Sequence, residues 1–180
     1  FNKSVGIEQK SYVSLVDDSN AGQSGIRSLL APTLLKFMEE NRNSYSDIQI
    51  FEIGRVVAGL DDSNLAIEEP HLSICLTSQT LSNEKLYFRL KEVLMDIAQN
   101  IYGKQINIGK IDALPNYMHP VNSTNIYAEN KNIGYFGVLH PSVKLAIDKR
   151  FNIAVLELNT NELLKAQNYE NKIKKVSKFH

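Results

Sequence analysis

The chain holds one cysteine, no tryptophan and no net charge, with 20 Lys plus Arg set against 20 Asp plus Glu in 180 residues. Each shortage closes off a class of protein. The lone Cys75 cannot form an internal disulfide, and no zinc-type spacing accompanies it. Its place in the apolar run Leu72-Ser73-Ile74-Cys75-Leu76 is that of a small buried hydrophobe. A nucleic acid gripped by the whole surface needs a basic excess, which zero charge denies; a local patch stays open. No apolar run approaches the ~20 residues of a membrane helix. The N-terminus lacks a basic region followed by an apolar one, so no signal peptide is visible. With no starting methionine, the chain is expected to be a piece of a longer cytoplasmic protein, forming one domain over residues 1–180 with 1–24 partly loop.

The polar and apolar patterns that are present alternate between two periods. Residues 12–16 and 48–53 alternate as strands, with Gly54 breaking the second and Arg55-Val56-Val57 continuing it past a bulge. Pro32 suits the first turn of a helix running to about Asn41, with Leu34, Leu35 and Met38 on one face. Residues 17–22 and 61–64 read as loops. Residues 71–76 form a nearly continuous apolar, hence central, strand. The clearest helix spans residues 83–102, capped by Ser82 and ended by Gly103, with Leu86, Leu90, Val93, Leu94, Ile97 and Ile101 in one stripe. A strand at 104–111 and a hairpin follow, the hairpin pairing 124–128 with 133–139 through a turn at Asn130-Lys131-Asn132. A short helix after Pro141, a strand at 154–158, a helix capped by Asn159 and a basic end at 172–175 complete the chain. Strands joined by short turns, with helices interspersed, predict an α+β fold around an antiparallel sheet flanked by helices.

Few residues have the chemistry of a catalyst. Phosphate loops ending in lysine and serine or threonine are absent. In Phe88-Arg89-Leu90-Lys91-Glu92, an arginine could hold a phosphate through its planar fork if it stood on a strand, but here it falls in an amphipathic helix and faces solvent. His119-Pro120 and His140-Pro141 flank the hairpin without the further ligands that zinc requires. The imidazoles of all four histidines, His71, His119, His140 and His180, are expected to bond backbone where strands meet loops, and the two prolines to stiffen the turns. Ser177 and His180 lack the support a nucleophilic pair needs. Arg27 and Glu52 form the most informative charge pair. They read either as independent surface groups or as an ion pair tying the approach to the Pro32 helix onto the sheet or onto a partner chain.

Five phrases occur in a fixed order. They are Gly25-Ile26-Arg27-Ser28-Leu29-Leu30-Ala31-Pro32-Thr33-Leu34-Leu35, Phe51-Glu52-Ile53-Gly54, Met118-His119-Pro120, Ile133-Gly134-Tyr135-Phe136-Gly137-Val138-Leu139-His140-Pro141 and Val176-Ser177-Lys178-Phe179. Together, over about residues 13 to 179, they resemble the C-terminal, class II synthetase-like core of the phenylalanyl-tRNA synthetase beta subunit of bacterial type. The resemblance departs at Asp17-Asp18, where the family often has asparagine-proline, and at Val121 and Glu92, where it favours glycine. It implies a class II aminoacyl-tRNA synthetase-like sheet and a non-catalytic structural core. This core would dock with the catalytic alpha subunit of an alpha2-beta2 ligase, in which tRNA is a further partner. ATP and magnesium are then expected for the holoenzyme, with no cofactor in this fragment. The expected docking face is the Pro32 helix, its apolar stripe exposed until paired, so that Arg27, Pro32, Leu34, Leu35, Met38 and Glu52 are interface candidates. His119, Pro120, Gly134, Gly137, His140 and Pro141 are structural turn candidates. The alternatives are a stand-alone ligase with its own active site and an RNA-binding module using the basic end.

Overall fold

The structure, a computed structural model, describes residues 1–8, 25–109 and 113–169. The strand expected at 12–16, the loop at 17–22, the last two residues of 104–111, the basic end at 172–175, Ser177, His180 and the phrase at 176–179 lie outside them.

Local chemistry starts and stops each element. Helix α1 (Ala31–Asn41) carries Pro32 in its first turn, where a backbone N–H is dispensable. Strands β1 (Asp47–Leu60) and β2 (Ala66–Ser78) form a long hairpin. At its tip the Asp61 carboxylate accepts the N–H groups of Ser63 and Leu65, both at 2.8 Å, around Asn64 at φ 60°. Helix α2 (Asn83–Asp96) begins at Ser82, whose hydroxyl accepts the Lys85 N–H. It continues into a π-helical turn, Ile97–Ile101, in which the Tyr102 N–H reaches Ile97 O at 3.0 Å, and Gly103 at φ 63° ends the run. There follow β3 (Asn107–Gly109), β4 (Met118–Ala128), β5 (Lys131–Leu139), α3 (Pro141–Ile147), β6 (Asn152–Asn159) and α4 (Thr160–Lys165).

The six strands form one sheet in the order β1-β2-β6-β5-β4-β3, with every neighbouring pair antiparallel. This is the α+β arrangement expected from the sequence. Because side chains alternate along a strand, the sheet has two distinct faces. On one, Leu72, Ile74, Leu76, Phe136, Val138 and Leu156 pack under Leu86, Leu90 and Leu94 of α2 and Leu163 of α4. On the other, Cys75, Val155, Ile153 and Tyr135 pack under Leu34, Leu35 and Met38 of α1 and Val143 and Ile147 of α3.

Three local expectations are corrected. Gly54 does not break β1; the strand runs through it and bulges later, between Val57 and Gly59. The β4–β5 turn is Glu129-Asn130, since Ala128 pairs with Lys131, and Glu129 takes the positive φ of 55° that a two-residue hairpin turn demands. Gly134 and Gly137 are interior residues of β5 rather than turn residues. Each is small because another chain segment passes against it. A Cβ on Gly134 would collide with the Glu157 carbonyl, and one on Gly137 (φ 151°) with the backbone at Asn122 and Ser123.

Candidate functional site: an apolar groove backed by a polar row

The expectation of an exposed apolar stripe on α1 is overturned. Pro32, Leu34, Leu35 and Met38 are buried against the chain's own sheet, Leu35 and Met38 completely. An amphipathic helix next to a bare sheet face satisfies its stripe within the chain, gaining roughly 1.5–3 kcal/mol per large side chain. What α1 shows to solvent is Thr33, Lys36, Phe37 and Glu40, of which Phe37 alone is large and apolar.

Beneath α1 a row of polar side chains crosses the sheet. Register places Glu52, Ser73, Glu157, Tyr135 and Asn125 side by side on β1, β2, β6, β5 and β4. Its centre is Glu157, 1% exposed. One carboxylate oxygen accepts the Leu30 N–H and the other the Ala31 N–H, both at 2.8 Å, while His71 Nδ1 donates to the first at 3.0 Å. A buried anion is held here by three donors and by the positive end of α1. His71 Nε2 faces Glu69 at 3.6 Å with no hydrogen-bond partner of its own. The Tyr117 and Tyr135 hydroxyls hydrogen-bond to each other, and burial, reinforced by the Glu157 charge, pushes both phenols well above their usual range. Glu157 was not singled out by the sequence reading. Its only signal is a charge inside the apolar run Ala154-Val155-Leu156-Glu157-Leu158. His71 likewise bonds a carboxylate rather than backbone.

Arg27 and Glu52 do come together. Arg27 Nη1 lies 2.6 Å from Glu52 Oε1, and Arg27 Nε donates to Arg55 O at 3.3 Å. The Val57 N–H donates to Arg27 O at 3.0 Å, so the segment before α1 is laced to the outer edge of β1. Gly54 makes this possible, because a Cβ there would lie 2.6 Å from Arg27 Nη2. The pair ties the approach to α1 onto the sheet of its own chain.

The histidine-proline phrases are local fasteners. His119 Nδ1 accepts the N–H groups of Val121 and Asn122, both at 3.1 Å, where β4 departs from register, with Pro120 inside that irregular stretch. His140 is the N-cap of α3, its Nδ1 accepting the Ser142 N–H at 3.3 Å, and Pro141 is the first helical residue. Both imidazoles therefore carry their proton on Nε2 when neutral. Among the described residues no group of three or more His, Cys, Asp or Glu could hold a metal ion.

On the opposite face the helix layer stops short of the sheet edge. Between β1–β2 and α2 runs a groove of about 510 Å³, floored by Phe51, Ile53, Leu72 and Ile74 and walled by Val93, Ile97, Ile101 and Tyr102. Phe51, Ile53 and Ile101 remain 70%, 65% and 72% exposed. A nucleotide phosphate or its magnesium ion does not fit these residues, since no charged side chain among the described residues lines the groove. The positive end of α1 is likewise taken by Glu157. Arg89 is exposed on α2, as its helical position predicts.

Fold and site thus define an antiparallel α+β domain with an uncharged cleft. The family described as phenylalanyl tRNA synthetase beta chain CLM domain matches residues 5–160, and the chain belongs to that family. Relatives named phenylalanine–tRNA ligase beta subunit include one from Syntrophus aciditrophicus, 28% identical over 88% of this chain and 21% of the relative. One from Sulfurisphaera tokodaii is 26% identical over 84% and 27%, and one from Listeria innocua is 27% identical over 90% and 21%. The chain therefore spans about a fifth to a quarter of the length of these relatives. No helix among the described residues is long and apolar enough to cross a membrane.

Proposed function

We propose that this chain is the C-terminal, class II synthetase-like core of a bacterial-type phenylalanine–tRNA ligase beta subunit, and that it is non-catalytic. In this reading it docks with the catalytic alpha subunit in a cytoplasmic alpha2-beta2 assembly. That assembly charges tRNA with phenylalanine, ATP and magnesium being handled on the alpha chain. One observation carries the reading: in a member of this family, the groove between β1–β2 and α2 is lined by Phe51, Ile53, Leu72 and Ile74, and among the described residues it holds none of the cations that phosphate chemistry demands.

The test is co-purification of this chain with the alpha subunit of the same organism, together with ATP-binding calorimetry on the chain alone. Stable association without ATP binding is the expected result. ATP binding by the chain alone, or failure to associate, would overturn the reading and move the search for an active site onto this chain.

A further inference from the structure

The groove beside β1 presents apolar surface that no other described residue covers. At roughly 200 Å² per large side chain, the exposed parts of Phe51, Ile53 and Ile101 amount to on the order of 400 Å². A patch of that size on a monomer commonly marks a binding surface.

Its shape and chemistry limit the occupant. An added strand is disfavoured on the outer edge of β1 where the segment at Arg27 already bonds Val57. The opening lies above β1 and β2, a width of about two strand spacings at ~4.8 Å each, which one α-helix of ~10 Å diameter fills. The described lining carries no charged side chain, so the face that enters is an apolar stripe. Asp96 and Asn100, joined at 3.1 Å, flank Ile97 and Ile101 on the exposed side of the π-helical turn and would meet a basic residue beside that stripe. The area rules on the source. A free-standing two-fold contact needs about 800 Å² on each side, twice what the groove offers. A second copy of this chain held by the groove alone is therefore too small an interface, whereas one contact within the larger interface of an obligate assembly is of the right size.

We infer that the groove of Phe51, Ile53, Ile97 and Ile101 seats one amphipathic helix of the partner subunit, through a charge-free stripe flanked by a basic residue; this rests on the subunit role proposed above. The π-helical turn is part of the device. Ile101, its last residue, lines the groove and is exposed, and such turns recur at functional positions.

The experiment compares capture of the alpha subunit by the unaltered chain and by its Phe51→Glu and Ile101→Glu variants, with Leu145→Glu on the exposed side of α3 as control. Circular dichroism melts verify that each variant folds. A loss of roughly tenfold or more in affinity is expected for the groove variants and none for the control. A photo-crosslinking amino acid in place of Phe51 is expected to label partner residues spaced three or four apart. Equal capture by folded groove variants, or cross-links confined to a second copy or to this chain, would overturn the groove assignment while leaving the subunit role standing. Failure of the unaltered chain to capture the alpha subunit would remove the subunit role and this inference with it.

Discussion

The Glu157 carboxylate and the His71 imidazole meet at 3.0 Å between β6 and β2, and the same carboxylate closes the N-terminus of α1. A side chain from the middle of the sheet thus does the work that an N-cap residue does elsewhere, because Leu30 at the cap position has no acceptor of its own.

Removing that carboxylate leaves two backbone N–H groups and an imidazole N–H buried without partners. Glu157→Ala is expected to cost about 3–5 kcal/mol, the usual penalty for breaking a buried charged contact from one side. Glu157→Gln keeps one acceptor and is expected to cost less. Urea unfolding of the three proteins measures both; a loss under about 1 kcal/mol for the alanine variant would show that α1 holds its place without the anchor.

Two glycines give opposite expectations for the same substitution. At Gly54 the added methyl meets the mobile end of Arg27, so Gly54→Ala should displace the guanidinium and cost about 1 kcal/mol or less, matching the worth of a half-exposed ion pair. At Gly134 it meets the fixed backbone of β6, and a loss of about 3 kcal/mol or more is expected. A Gly54→Ala, Arg27→Ala double-mutant cycle should be non-additive, because both changes remove one contact.

Cys75 is fully buried, and burial pushes its thiol up to about 12. The folded protein is expected to resist thiol reagents at pH 8 until denaturant is added. The raised value fixes the sign of a pH effect. The stability is whole below the unfolded thiol value of about 8.5 and declines above it, by up to about 1.4 kcal/mol per pH unit, because only the unfolded chain gives up the proton. Unfolding free energies at pH 8 and pH 10 for the native chain and Cys75→Ala measure it: the decline should be shallower in the variant.

Asp148 behaves in the reverse sense. Hydrogen bonds from the Arg150 side chain hold its carboxyl below the ordinary range, with Arg42 adding to the effect. Its contribution is present above the unfolded value of about 3.9 and disappears as pH falls through the lower folded value. Asp148→Asn should therefore weaken the fold at pH 7 and have a smaller effect near pH 2. An equal loss at both would assign the effect to packing.

Elements fixed by neighbours in sequence were legible in it. Ser82 before α2, Pro32 and Pro141 in first helical turns, and Asn159 before α4 each act within three residues, and each stands where its residue type predicts. Features fixed by register were not. Ser73, Tyr135 and Glu157 lie on separate strands, and only the pairing of β2, β6 and β5 sets them in one row. The single stripe from Leu86 to Ile101 also divides in space. Leu86, Leu90 and Leu94 are buried in the core, while Val93 and Ile97 pack at its margin and, with Ile101, line the groove. A helical period cannot show this division, since it depends on where the sheet beneath the helix ends and on a π-helical turn without a sequence mark.

The alternation along β1 has an evolutionary consequence. Phe51 and Ile53 open to the groove, while Glu52 and Gly54 face Arg27 on the reverse side. Because the side-chain period is two, gain or loss of one residue between Gln49 and Gly54 would send carboxylate into the groove and phenylalanine against the guanidinium together. Lineages descending from this chain can therefore vary the chemistry of either face by point substitution, but the length of this stretch should stay invariant among them, with insertions and deletions admitted at the Asp61–Asn64 tip instead.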